Sequence, residues 1–154
     1  MHISILSVGK LRAGPERSLV EDYASRFRKT GPRIGFRSLD ILEVASGGGL
    51  DAEGARLISA LPREGDVLRL DEHGQQWRSL SFAQDMAARR DEGIARLTFV
   101  IGGAQGYSPE VQNACPHTIG FGIQTWPHRL VKVMLTEQLY RAVSLLTGSP
   151  YHKA

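Results

Sequence analysis

The sequence holds one cysteine in 154 residues, Cys115. A lone thiol can form no internal disulfide and supplies no cysteine cluster for a metal, which fits a reducing compartment and points to the cytoplasm. Nothing around Cys115 argues for a lowered thiol pKa, so it reads as a small buried hydrophobe. No apolar run approaches the ~20 residues that cross a bilayer, which argues against a membrane protein. The opening "MHISILSVGK" is a short apolar run met promptly by Lys10 and Arg12, with no small-residue cleavage site after it. It reads as mature protein rather than a signal sequence. The glycine fingerprint G-x-G-x-x-G is missing, as is a Walker loop; the first strand candidate runs into "GKLRAGPE" instead. His2, His73 and His117 lack partner spacing, so no metal site is expected.

What is present is ordinary globular composition, 42% apolar and 23% charged, in a length that suits a single domain over residues 1–154. Charge is unevenly spread. Between Lys10 and Arg37 lie eight basic residues (Lys10, Arg12, Arg17, Arg26, Arg28, Lys29, Arg33, Arg37) against Glu16, Glu21 and Asp22. The overall charge of +3 therefore conceals a basic first quarter, which suits either a solvated helix face or a surface that meets phosphates.

Short β-like runs alternate with longer helical patterns. "HISILSV" is apolar and β-branched, and the next segment has Pro15 near a helix start with Leu19, Tyr23 and Phe27 at i, i+4, i+8. Further strands are expected over 33–44, 66–71, 95–101 and 117–123. A glycine-rich loop, "SGGG", leads into a second helix. A third helix is expected from Ser79 as N-cap to a stop at Gly93, and a long last one from Arg129 to Thr147. This alternation predicts an α/β fold, a mostly parallel sheet with helices on both faces. In such sheets ligands collect beyond the carboxyl ends of the strands, where "LDEHG", "IGGAQG" and "IQTWPH" fall.

The run "IGGAQGYSP" prepares a helix start, with Ser108 as cap and Pro109 at the first helical position. Its glycines suit a tight turn as well as the close approach of a ligand. The last helix carries more apolar positions than one buried stripe needs, so it asks for cover on two sides, the sheet and a second copy of the chain. Glu137 and Arg141 stand at i, i+4 in the favourable order, a spacing that more often gives local helix support than catalysis. After Gly148 the chain ends "SPYHKA", placing Tyr151, His152 and Lys153 together.

Taken in order, "SVGKL", "LDEHG", "FVIGGAQGYSP", "WPHRLVKVMLTEQLYRA" and "SPYHK" make the whole chain resemble the small bacterial SPOUT-superfamily methyltransferases of the large-subunit ribosomal RNA methyltransferase H family. The resemblance implies a deep C-terminal trefoil knot and transfer of a methyl group from S-adenosyl-L-methionine to N3 of a pseudouridine. It also implies that assembled ribosomes are the substrate and that the enzyme is a homodimer. By the same resemblance the cofactor pocket corresponds to Leu70, Gly102, Gly103, Gly122, Ile123, Gln124, Thr125, Trp126 and Pro127. His152, Tyr151 and Arg141 are the candidates for substrate positioning and charge handling, with His128 behind them and no general base assigned. Trp126 and Gln105 depart from the family's usual residues, so the pocket edge is expected to differ there. Two alternatives share the fold: a non-catalytic dimeric RNA-binding protein, and a methyltransferase for another RNA target.

Overall fold

The computed structural model describes residues 1–152; Lys153, part of the expected tail cluster, lies outside them. In chain order the elements are β1 (His2–Val8), α1 (Pro15–Thr30), a 3-10 turn (Gly31–Ile34), β2 (Ser38–Val44), α2 (Leu50–Ala60), β3 (Asp66–Gln76), α3 (Ser79–Asp91), β4 (Arg96–Ile101), α4 (Pro109–Ala114), β5 (Thr118–Gly120) and α5 (His128–Thr147). The strands form one sheet in the order β2-β1-β4-β3-β5, every pair parallel. The expected α/β class is the observed one.

Burial on both faces explains the near-continuous apolar strands. In β1, Ile3 and Ile5 face a core built with Phe27 of α1, Phe82 of α3 and Leu135 and Leu139 of α5. Leu6 and Val8 belong to a second core, with Leu57 of α2, Val111 of α4 and Cys115. Cys115 is buried, and burial pushes its thiol pKa up, as expected of a hydrophobe rather than a nucleophile.

Several boundaries differ from expectation. The strand foreseen over 33–44 starts only at Ser38, because Gly31–Ile34 close a 3-10 turn ended by Gly35 at φ +86°. The Phe36 side chain then fills the core. Ser79 is not the cap of α3; Arg78 holds that place, and the Ser79 hydroxyl donates to Gln138 Oε1 of α5 at 2.8 Å. Ser108 caps α4 as foreseen, accepting from the Val111 amide.

The β3–β5 pairing is irregular in a way that shapes the site. Ile119 pairs with Leu70 and, beyond a bulge, again with Gln75. A Cβ on Gly74 would sit 2.6 Å from the Ile119 carbonyl carbon, and one on Gly120 2.7 Å from the Asp71 oxygen. Only bare backbone lets β5 lie inside this bend of β3.

Candidate active site

Because all strands point the same way, their carboxyl ends deliver five loops to one edge of the sheet. Two of them, following β4 and β5, enclose a cleft of about 980 Å³ with the bend of β3 and the first turn of α5. Eight of the nine expected pocket residues line it: Leu70, Gly102, Gly103, Gly122, Gln124, Thr125, Trp126 and Pro127. Ile123 does not; it is 87% exposed. Leu70, Ile119, Trp126 and Val131 give the cleft an apolar bed, while Asp71 and Glu72 bring carboxylates to it.

The rim is pinned by side-chain hydrogen bonds. Thr125 Oγ1 donates to Glu72 Oε2 at 2.5 Å, tying the loop after β5 to the bend of β3. Trp126 Nε1 donates to the Phe121 carbonyl at 3.0 Å and closes its own loop. Gly122 makes this loop possible with φ +97°.

Beneath the cleft lies Tyr107, which sequence reasoning missed although it follows the glycine run directly. Its hydroxyl accepts from the Gly102 amide at 3.0 Å and is within donating distance of the Leu70 and Val100 carbonyls, at 2.6 and 3.0 Å. One phenol thus ties the ends of β3 and β4 together. Burial raises its pKa above the ordinary phenol value, so it stays a neutral donor. Arg69, itself buried, stacks its guanidinium 4.8 Å from the Tyr107 ring centre while bonding the Cys115 carbonyl and Asp71.

This arrangement gives each glycine its own cause. A Cβ on Gly102 would meet the Gly106 oxygen at 2.9 Å and the Tyr107 ring at 3.0 Å, so the turn itself demands glycine there. Gly103 faces Val8 and Glu53 at 3.1 and 3.3 Å, and Gly106 takes φ +81°. The tight turn weighed in the sequence is therefore present whether or not a ligand is.

The three tail-end candidates form a separate group. Tyr151 donates to Glu137 Oε1 at 3.0 Å, the carboxylate oxygen that also receives Arg141 Nη2 at 2.5 Å. The Arg141 guanidinium lies 5.1 Å from the Tyr151 ring centre, and Tyr140 packs on the same ring. Burial, then hydrogen bonding to Tyr23 and Glu137, raises the Tyr151 pKa, so it is a phenol and not a phenolate here. His152 Nδ1 is buried with no hydrogen-bond partner among the described residues. None of the three lines the cleft of its own chain. Arg141 lies about 20 Å beyond His128 along α5 at 1.5 Å per residue.

The expected two-sided cover of α5 is met in part within the chain: besides the sheet, α1 and α3 pack against it. Leu130 stays exposed, and exposed Leu19 with half-buried Val133 and Met134 lines an apolar groove of about 480 Å³. The basic first quarter disperses. Arg17 and Arg26 pair with Glu21 and Asp22 on α1, and Arg28 donates to the Leu39 carbonyl. Among the described residues no His, Cys, Asp and Glu grouping suits a metal, and no helix is long and apolar enough to cross a membrane.

Known proteins share this layout. A solved structure described as a probable methylase family protein from Haemophilus influenzae Rd KW20 superposes with a TM-score of 0.50, covering 99% of this chain and 70% of that one at 10% identity, a likeness of fold alone. Relatives called ribosomal RNA large subunit methyltransferase H are much nearer in sequence. The one from Hyphomonas neptunium is 51% identical over the full length of both chains. The one from Ruegeria pomeroyi is 48% identical over 99% of each. With the profile described as "Predicted SPOUT methyltransferase" also matching residues 1–152, this chain belongs to the SPOUT methyltransferase family.

Proposed function

We propose that this chain, folded as a single domain, is a cytoplasmic S-adenosyl-L-methionine-dependent methyltransferase. Its target is N3 of a pseudouridine in the ribosomal RNA of the large subunit, reached on assembled ribosomes. The observation that carries the reading is the cleft at the carboxyl ends of β3, β4 and β5, in a chain whose relatives bear the name of a large-subunit methyltransferase from end to end.

The residues present suit that cofactor. The volume lies within the ~300–1,000 Å³ range of small-molecule sites. Leu70, Ile119 and Trp126 offer an apolar bed for a purine, and Glu72 places negative charge where a cationic ligand gains from it, while Asp71 is already paired with Arg69. When bound, the cofactor supplies an electrophilic methyl group on a sulfonium. The chain's task is alignment: holding donor and acceptor within ~3–3.5 Å and excluding water contributes up to ~7–11 kcal/mol.

Tyr151, Arg141 and His152 are assigned to substrate positioning in a homodimer, where the tail of one subunit closes the cleft of the other. Their distance from their own cleft and the apolar surface left on α5 support this. The threading of the last segments through a trefoil knot belongs to the same reading; the seating of β5 inside the bend of β3 supports it.

Calorimetry with S-adenosylmethionine tests the cofactor: wild type binds with one cleft's saturable heat, and Gly103→Val does not, since Val8 and Glu53 already crowd that Cβ. Mass spectrometry of ribosomal RNA from a deletion strain tests the target: one methyl is lost from one pseudouridine of the large subunit. A wild type silent to the cofactor, or an unchanged RNA mass, overturns the corresponding half.

A further inference from the structure

A second cleft of about 680 Å³ opens beside the first, and the cofactor reading leaves it without a task. It lies beyond the carboxyl ends of β1, β2 and β4 and shares its rim, Gly103 to Gln105 and His128, with the larger cleft. β1 and β4 are neighbours in the sheet, yet α1 and α4, which follow them, pack on opposite faces. That divergence is the topological switch point where open α/β sheets bind ligands.

The lining is polar and charged. Lys10, Arg12 and Arg129 line it, and no ion pair engages them among the described residues. At one wall Lys132 is only 3% exposed, an unusual place for an ammonium. It donates to Ser7 Oγ at 3.1 Å and to Glu43 Oε2 at 2.9 Å, and the same Glu43 oxygen receives the Leu11 amide at 2.7 Å. An ammonium has three donors. Two are used inside the fold, and the third is available to an oxygen lodged in the cleft that Lys132 lines.

We propose that this second cleft is the acceptor site, taking the target pyrimidine nucleotide of the RNA. Lys132 donates to a carbonyl oxygen of the base, and Lys10, Arg12 and Arg129 hold the flanking phosphates. The shared rim then sets base and methyl donor side by side across the Gly103 turn. The proposal rests on the methyltransferase reading. It adds the residues that receive the substrate, of which only Lys10 and Arg12 belong to the basic segment visible in the sequence.

The test uses the full-length protein and ribosomes from a strain lacking it. In Lys10→Ala/Arg12→Ala/Arg129→Ala, the KM for ribosomes should rise about tenfold or more, and the log–log salt slope of binding should fall by about 2, as three lost single-strand phosphate contacts require. Cofactor affinity by calorimetry should stay within about twofold of wild type, and Arg63→Ala, at the opposite edge of the sheet, should match wild type throughout. Because Lys132→Met alone also strips Glu43 of its cation, the companion variant is Lys132→Met/Glu43→Gln. It should keep cofactor binding and lower kcat by about tenfold or more. Unchanged ribosome KM and salt slope in the triple variant overturn the acceptor site, as does loss of cofactor binding in it. A wild type that binds ribosomes through these three cations but ignores the cofactor would sink the methyltransferase reading instead.

Discussion

Tyr107 is the residue on which the most backbone depends. Its hydroxyl serves groups on β3, β4 and the glycine turn, and the half-buried ring lines the cleft. Tyr107→Phe keeps the ring and strands the Gly102 amide, so stability should fall by about 1–3 kcal/mol in urea unfolding. Cofactor affinity should fall with it. Glu43 makes a separate prediction about pH. Burial alone would raise its pKa, but the Leu11 amide and Lys132 outweigh burial and hold it below the ordinary value. A lowered folded pKa adds stability that is present above the unfolded value of about 4.3 and is lost as pH falls through the folded one. Glu43→Gln should therefore show a flatter loss of stability than wild type below about pH 4.5, read by thermal unfolding across an acid series. The sequence displayed the glycines but gave no hint of Tyr107 or of the Lys132–Glu43 pair, because partners so far apart in the chain leave no periodic trace.

At the scale of elements, the apolar pattern was legible wherever burial alone sets it. β1, α1, β4 and α5 fall within a residue or so of their expected ends, because β1 and β4 are apolar almost throughout to meet two cores and the helices repeat apolar residues at helical spacing. The misses share a cause. Gly35 turns the chain where apolar residues alone suggested a strand, and Ser79 spends its hydroxyl on Gln138 of α5 instead of on its own helix end. The bend of β3 was invisible since its purpose, admitting β5, is tertiary. It can be tested at Gly120, where an added methyl meets the Asp71 carbonyl. Overpacking of this kind costs about 1–3 kcal/mol. At ~2–4 °C per kcal/mol for a chain this size, Gly120→Ala should lower Tm by roughly 2–12 °C by calorimetry.

For the whole molecule, the sequence pattern delivered the sheet class, and the resemblance supplied the residues of the larger cleft. Composition delivered neither the smaller cleft nor the distance between the tail group and its own cleft. That distance carries the prediction about assembly. Mixed after unfolding and refolding, Gly103→Val and His152→Ala chains should recover roughly a quarter of wild-type turnover, because half the dimers are mixed and each holds one intact composite site. A site completed within one subunit gives no recovery, since every chain carries one lesion.

The seat of β5 within the β3 bend also bears on the order in which the molecule is made and unmade. Ile119 pairs with residues some fifty positions earlier in the chain, so this wall of the cleft exists only once that loop has closed. A ligand held against it binds the folded chain alone, and unfolding should be pushed to higher temperature as its concentration rises.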